Sequence, residues 1–191
     1  MNLELKQLTP ALWPALEKLF GKNGACGGCW CMHWRTERGE RWNDVKGDPA
    51  KKRLRKLVQS GEARGVLAFA DGEPVGWCAF GPRTSFAKLN RAPSLACDDA
   101  ARVWSLPCFY VKAGFRRQGL SAQLIEFALA CLREEGAEIA EGYPIKPHDG
   151  QKKLGAFAWT GVVSTFTAAG FKAADRKGRG KQRMRLKLGL G

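Results

Sequence analysis

The stretch from Val111 to Ala122, Val-Lys-Ala-Gly-Phe-Arg-Arg-Gln-Gly-Leu-Ser-Ala, constrains this chain more than any other. Ahead of it, Val103, Trp104, Leu106, Cys108, Phe109, Tyr110 and Val111 make a nearly continuous apolar, β-favouring run broken by Pro107. A strand buried on both faces reads this way. Behind it, Leu124, Ile125, Phe127, Ala128, Cys131 and Leu132 recur at helical spacing between about Ser121 and Glu135, with Gly136 placed as the stop. Between strand and helix, Gly119 lets the backbone approach a ligand, and the first N–H groups of the helix have no acceptor within it. Such a turn suits an anionic group, a phosphate above all. The plain alternative is a tight connection that binds nothing.

The surrounding pattern predicts a mixed α/β chain. A first helix is expected from Thr9 or Pro10 to Phe20, with Leu12, Leu16, Leu19 and Phe20 on one stripe, and a second opens at Asp48 and Pro49 and closes near Ser60 and Gly61. Val66 to Ala70 and Val75 to Phe80 read as a hairpin across Asp71, Gly72, Glu73 and Pro74. Ile139 to Tyr143 reads as a strand, Val162 to Ala169 as a short helix, and Phe171 to Ala174 with Arg183 to Leu188 as a closing pair. In the last of these Met184, Leu186 and Leu188 alternate with Arg183, Arg185 and Lys187, so one face is core and the other solvated. Gly81 to Ala101 is polar and contains Pro82 and Pro93, which reads as a surface excursion between strands. With no repeat or linker, the 191 residues are expected to form one domain, 1–191.

Arg116, Arg117, Gln118, Gly119, Leu120 and Ser121 resemble the acyl-CoA pyrophosphate loop of the GNAT N-acetyltransferases, whose pattern is Arg or Gln, two variable residues, Gly, one variable residue, then Gly or Ala. Ser121 stands where Gly or Ala is usual. The element order, a strand, two helices, three strands, helix, strand, helix and two strands, is similar to that family's over essentially the whole chain, and Gly170-Phe171 resembles the Gly-Phe that follows its last helix. The resemblance implies the GNAT fold, a mixed central sheet of about seven strands flanked by about four helices. It implies acetyl-CoA as cosubstrate, with Phe109, Tyr110 and Val111 on the pantetheine arm and thioester and Arg116 to Ala122, including Leu120 and Ser121, on the pyrophosphate. It also implies direct attack of a primary amine on the thioester, with a base to take the amine's proton and an acid near the departing thiolate. The Tyr that many members carry on the last helix is replaced here by Phe166. Tyr143, Glu141 and Ser164 are the remaining candidates for moving protons.

A second unusual segment, Gly24 to Arg35, reads Gly-Ala-Cys-Gly-Gly-Cys-Trp-Cys-Met-His-Trp-Arg. Cys26, Cys29, Cys31 and His33 are potential zinc ligands, but all four fall within one short stretch, whereas a structural zinc site joins two separated ligand pairs. No metal is expected. Extended backbone here would put Cys29, Cys31 and His33 on one face and Trp30, Met32 and Trp34 on the other. In the fold that the resemblance implies, this segment walls the acceptor side of the cleft, making Trp30, Cys31, His33 and Trp34 pocket residues; the alternative is a glycine-loosened loop whose aromatics close the core. His33 and His148 are the only histidines, and either is able to accept a proton near neutral pH.

The formal charge is +14, with basic clusters at Lys51 to Lys56 and along Lys172 to Lys187. No nucleic-acid motif accompanies them, so a solvated basic surface that also attracts a polyanionic coenzyme is favoured over a nucleic-acid surface. No apolar segment reaches bilayer length and the first residues lack a secretory pattern, so a cytoplasmic protein is expected. An odd count of seven cysteines, three of them on apolar positions, points to reduced thiols. A homodimer is compatible with the sequence. Two rival functions share these features: an acyl-CoA sensor without catalysis and a zinc-containing nucleic-acid-binding protein.

Overall fold

Alternation in the central strands builds two apolar layers on one sheet. The computed structural model describes residues 2–145, 158–174 and 181–189. Strands β1 (Leu3–Gln7), β2 (Arg64–Ala70), β3 (Glu73–Pro82), β4 (Val103–Val111), β5 (Ile139–Gly142), β6 (Lys172–Ala173) and β7 (Met184–Lys187) form one sheet in the order β1-β2-β3-β4-β5-β7-β6. All neighbours are antiparallel except β4 and β5. In β2 and β3, Val66, Ala68, Cys78 and Phe80 face one layer while Leu67, Phe69, Trp77 and Ala79 face the other. The first layer is covered by α5 (Leu120–Glu134) through Leu124, Ile125, Ala128 and Leu132; the second is covered by α1 (Trp13–Phe20) and α3 (Asp48–Gln59) through Leu16, Phe20, Leu54 and Val58. Short helices α2 (Trp42–Val45), α4 (Ala87–Arg91) and α6 (Val163–Ala168) bring the helices of the described residues to six.

The strands lie where the sequence places them, and the differences are at the ends. Pro10–Leu12 winds as a 3-10 turn before α1, because Pro14 lacks the N–H that a continuous helix would use there. The β2–β3 hairpin turns on Asp71 and Gly72 alone, both with positive φ, so Glu73 and Pro74 already belong to β3. One expectation is corrected. Gly81 to Ala101 is not merely a surface excursion, for Arg83, Phe86, Leu89 and Leu95 in it are buried and α4 packs beside Trp34. Gly24 to Trp34 is not extended: consecutive tight turns fold it, with Trp30 and Cys31 at φ 44° and 55°. The proposed two-faced division of its side chains therefore does not form.

Candidate active site

The parallel pairing of β4 with β5 runs only from Val103↔Ile139 to Leu106↔Gly142, while β4 continues to Val111. The sheet splits there. Pro107 is the first residue beyond the paired stretch, where a missing N–H leaves no ladder bond unmade. Across β4 the register with β3 jumps from Ala79↔Cys108 to Gly81↔Ser105, so Leu106 and Pro107 bulge opposite Phe80. The bulge changes the phase of the strand. Leu106 and Phe109 face the α5 layer, and Cys108 and Tyr110 are turned to the α1/α3 side. In the split, Phe109 N–H donates to Trp159 O at 2.6 Å and Trp34 Nε1 donates to Pro107 O at 3.1 Å. Lys112 N–H points to Val75 O on β3, so the strand's period of two directs Val111 N–H into the split.

Beyond β4 the chain turns through Arg116 to Gly119, with Arg117 at φ 62° and Gly119 at φ 78°, and enters α5. No side chain caps this helix, and among the described residues the N–H groups of Arg117 to Ser121 have no acceptor. The turn is held by its own side chains: Arg116 Nε donates to Val111 O and Gln118 Nε2 donates to Gly114 O, both at 2.8 Å. A Cβ on Gly119 would meet nothing within 4 Å, so the space above the turn is open. Gly76 seats the helix close to the sheet, since Leu120 Cδ2 would lie 3.1 Å from a Cβ there. Exposed donors at the positive end of a 15-residue helix make an anion cradle that fits a pyrophosphate.

A cavity of 200 Å3 joins the strand to the cradle. Cys108, Phe109, Tyr110 and Val111 of β4 line it together with Arg116, Ser121, Trp159 and the cysteines Cys26, Cys29 and Cys31. The Cys108 thiol and Trp77 Nε1, the latter 3.1 Å from Cys31 Sγ, donate to Cys31 and pull its thiol below its ordinary range despite burial. Burial and the neighbouring Cys31 push Cys29 up to about 12, and Cys108, whose proton serves Cys31, is raised as well. All seven cysteines are free, and among the described residues no three His, Cys, Asp or Glu side chains are grouped to hold a metal.

The other residues singled out from the sequence lie elsewhere. Trp30 is buried against Trp13 and Phe20, and His33 and Trp34 face a second hollow with Lys88, so Cys31 alone of the four expected pocket residues lines the cavity. Burial, Lys88 and Lys181 lower His33 to about 4. His148 lies outside the described residues. Ser164 is exposed on α6. Glu141 and Tyr143 are fully buried and sealed from the cavity. Tyr143 donates to Glu141 Oε1 at 2.7 Å and meets Ser105 Oγ at 2.6 Å, while Arg83 donates to both of them. Arg185 Nε donates to Glu141 Oε2 at 2.6 Å, and burial beside Glu141 raises the Tyr143 phenol well above its ordinary value. Phe166 fills the ground between β5 and Gly161, so tightly that a Cβ on Gly142 would fall 2.0 Å from its ring.

Arg83 and Trp159 escape sequence reasoning. Arg83 stands in a polar stretch that also carries Lys88 and Arg91, and nothing local marks it as the one whose carboxylate lies 58 positions away. Trp159 carried only a general aromatic signal.

The edge of β4, the bulge beside it and the uncapped start of α5 meet at one cavity. Residues 30–142, more than half of the chain, match the family model for the acetyltransferase (GNAT) family, and the chain belongs to that family. Its fold is similar to an N-acetyltransferase from Staphylococcus aureus Mu50, with TM-score 0.59, 12% identity, and 98% of this chain and 99% of that one covered. It is equally similar to yncA from Salmonella typhimurium, solved with its cofactor acetyl-CoA, at TM-score 0.59 and 17% identity over 99% and 95% of the two chains. A GCN5-related N-acetyltransferase from Kribbella flavida follows at TM-score 0.57 and 20% identity over 97% and 98%. No curated protein matches the chain.

Proposed function

We propose that this enzyme transfers the acetyl group of acetyl-CoA to a primary amine by direct attack in a ternary complex. One observation carries the reading: a single cavity connects the edge of β4 from Phe109 to Val111, beyond its pairing with β5, with Arg116 and Ser121 at the uncapped start of α5. The thioester and the pyrophosphate of one coenzyme molecule have a polar partner at each end of that path. Val111 N–H and the neighbouring strand amide at Phe109 are the donors available to an oxyanion, the latter once Trp159 O yields its place. Seven free thiols and the absence, among the described residues, of a helix able to cross a membrane agree with a cytoplasmic setting.

The proton traffic belongs to the cavity wall. Tyr143 and Glu141 act by holding β5 against β4, as positioning residues. Cys31 is the wall group whose anion the fold stabilises, so it takes the amine's proton directly or through a water, and the Tyr110 hydroxyl is available to the departing thiolate.

Calorimetry of acetyl-CoA with the wild-type chain, Gly119→Ala and Gly119→Glu tests the reading. Binding is expected to be weakened modestly in Gly119→Ala, where only the φ of 78° is strained and the space is open, and abolished in Gly119→Glu, which puts a carboxylate in the anion cradle. Unchanged affinity in a folded Gly119→Glu variant overturns the assignment of the cradle. Release of free coenzyme A thiol across an amine panel then separates an enzyme from a non-catalytic acyl-CoA sensor.

A further inference from the structure

On the far side of Trp159 from the acetyl cavity lies a second hollow of 480 Å3, lined among others by His33, Trp34, Lys88, Arg91, Leu95 and Lys181. Ten of the 26 described lysines and arginines have a carboxylate within ion-pair distance, as Lys51 has Glu17, Arg53 has Glu40, Arg102 has Glu138 and Arg185 has Asp99. The three cations of this hollow do not. Lys88 Nζ lies 3.2 Å from His33 Nε2, Arg91 donates to Thr36 O at 2.5 Å, and Lys181 Nζ stands over the rings of Trp159 and Trp34 at 4.9 and 5.8 Å from their centroids. Among the described residues no carboxylate pairs with any of them.

Like charges gathered on a half-buried wall repel one another and lose hydration. The effect is visible in the two lysines: burial and Arg91 lower Lys88, and burial and Lys88 lower Lys181. An anion placed among them offsets the mutual repulsion and compensates part of the lost hydration. The hollow includes no residue of Arg116 to Ala122, so the coenzyme's pyrophosphate has its own cradle elsewhere. Its connection is to the reacting end. Trp159 lines the acetyl cavity and stands 5.2 Å from the His33 ring and 5.6 Å from Trp34, whose indole is anchored to β4 at Pro107. Trp159 thus stands between the Lys181 ammonium and the thiol-lined cavity.

We propose that this hollow binds the carboxylate of the acceptor: the amine that receives the acetyl group carries an acid group held by Lys88 and Lys181, with its apolar part against Trp34 and Trp159. The inference rests on the acetyl-transfer reading and narrows its substrate class to amino acids and related carboxylate-bearing amines.

Titration of the full chain with 3-phenylpropionate and with its neutral amide, followed by tryptophan fluorescence, tests the site without catalysis. The acid is expected to bind at least about tenfold more tightly than the amide, and increasing salt is expected to weaken only the acid. Lys88→Met and Lys181→Met keep the aliphatic stems and are each expected to weaken the acid about threefold or more, with the double variant treating acid and amide alike. Equal affinity of acid and amide in the wild type, or an acid preference that survives in the double variant, overturns the proposal. In turnover, free amino acids are expected to surpass their amides in kcat/KM, and that advantage is lost in the double variant. Acetyl-CoA affinity, measured on the same proteins, stays at the wild-type value; failure of acetyl-CoA to bind at all refutes the acetyl-transfer reading, whereas normal coenzyme binding with no acid preference refutes only the anion site.

Discussion

Replacing Arg83 with Met probes the buried joint between β5 and α4. Arg83 and Glu141 are both 0% exposed. The guanidinium donates to Glu141, to Tyr143 OH at 2.6 Å, to Asn90 Oδ1 at 3.1 Å and to the carbonyls of Leu89 and Leu95 at 3.3 and 2.5 Å, so it ties β5 to α4 and the segment after it. Removing one partner of a buried ion pair costs about 3–5 kcal/mol because the other charge stays behind in a dry place. Glu141 keeps Arg185 at 2.6 Å, itself fixed by Asp99 at 2.8 Å, which holds the expected loss toward about 3 kcal/mol. The two freed carbonyls press it upward, by about 1–3 kcal/mol each if neither finds water. At about 2–4 °C per kcal/mol for a chain of this size, an ion-pair loss of about 3–5 kcal/mol alone lowers Tm by roughly 6–20 °C, and dry carbonyls lower it further. Urea unfolding followed by tryptophan fluorescence and far-ultraviolet circular dichroism measures the loss, with an unchanged m-value as the check on two-state behaviour. Adding Glu141→Gln to the Arg83→Met background removes the stranded charge and is expected to recover part of the stability, as a double-mutant cycle records. A loss below about 1 kcal/mol, or no coupling between the two sites, refutes the view that this pair is the joint.

Other outcomes follow from the same geometry. Gly142→Ala drives a Cβ into Phe166 and is expected to lower stability by about 1–3 kcal/mol in thermal melts, with part of it regained in Gly142→Ala/Phe166→Leu; a wild-type melting temperature contradicts the packing. Cys31→Ala is expected to reduce kcat/KM at least tenfold while leaving the acetyl-CoA dissociation constant unchanged, and equal activity removes Cys31 from the proton path. An acetyl group found on Cys31 by mass spectrometry, in the absence of amine, would replace direct attack with a covalent route. His33, held at about 4 by burial and by Lys88 and Lys181, stays neutral in the folded chain below the pH at which it protonates in the unfolded one, so the unfolded state binds more protons between pH 6.5 and 4. Stability therefore falls as pH drops from about 6.5 toward 4, and the urea midpoint of His33→Gln is expected to fall less steeply over that window; parallel slopes overturn the assignment.

What the sequence determined by itself is the strand, turn and helix from Val103 to Glu134 and the hairpin before it. These signals are local: a two-sided apolar run has to be a covered strand, a 3.6-residue stripe a helix, and Gly119 the left-handed residue between them. The same locality placed Phe109 to Val111, Arg116 and Ser121 on one path, because a strand leading directly into a helix leaves its end beside that helix's first N–H groups. Only the tertiary structure decided how the rest meets that path. Tyr143 reads as an available phenol until Arg83 and Glu141, far apart in the chain, close around it. The cysteine segment reads either as a pocket wall or as a glycine-loosened loop until left-handed residues at Trp30 and Cys31 coil it, which sends His33 and Trp34 to one hollow and Cys31 to another. Cys108 reads as core until the bulge at Leu106 and Pro107 turns it to the cavity. Periodicity records which faces are apolar, but a bulge, a buried ion pair and a cluster of unpaired cations depend on which distant residues share a space, and that is settled only when the sheet and its layers assemble.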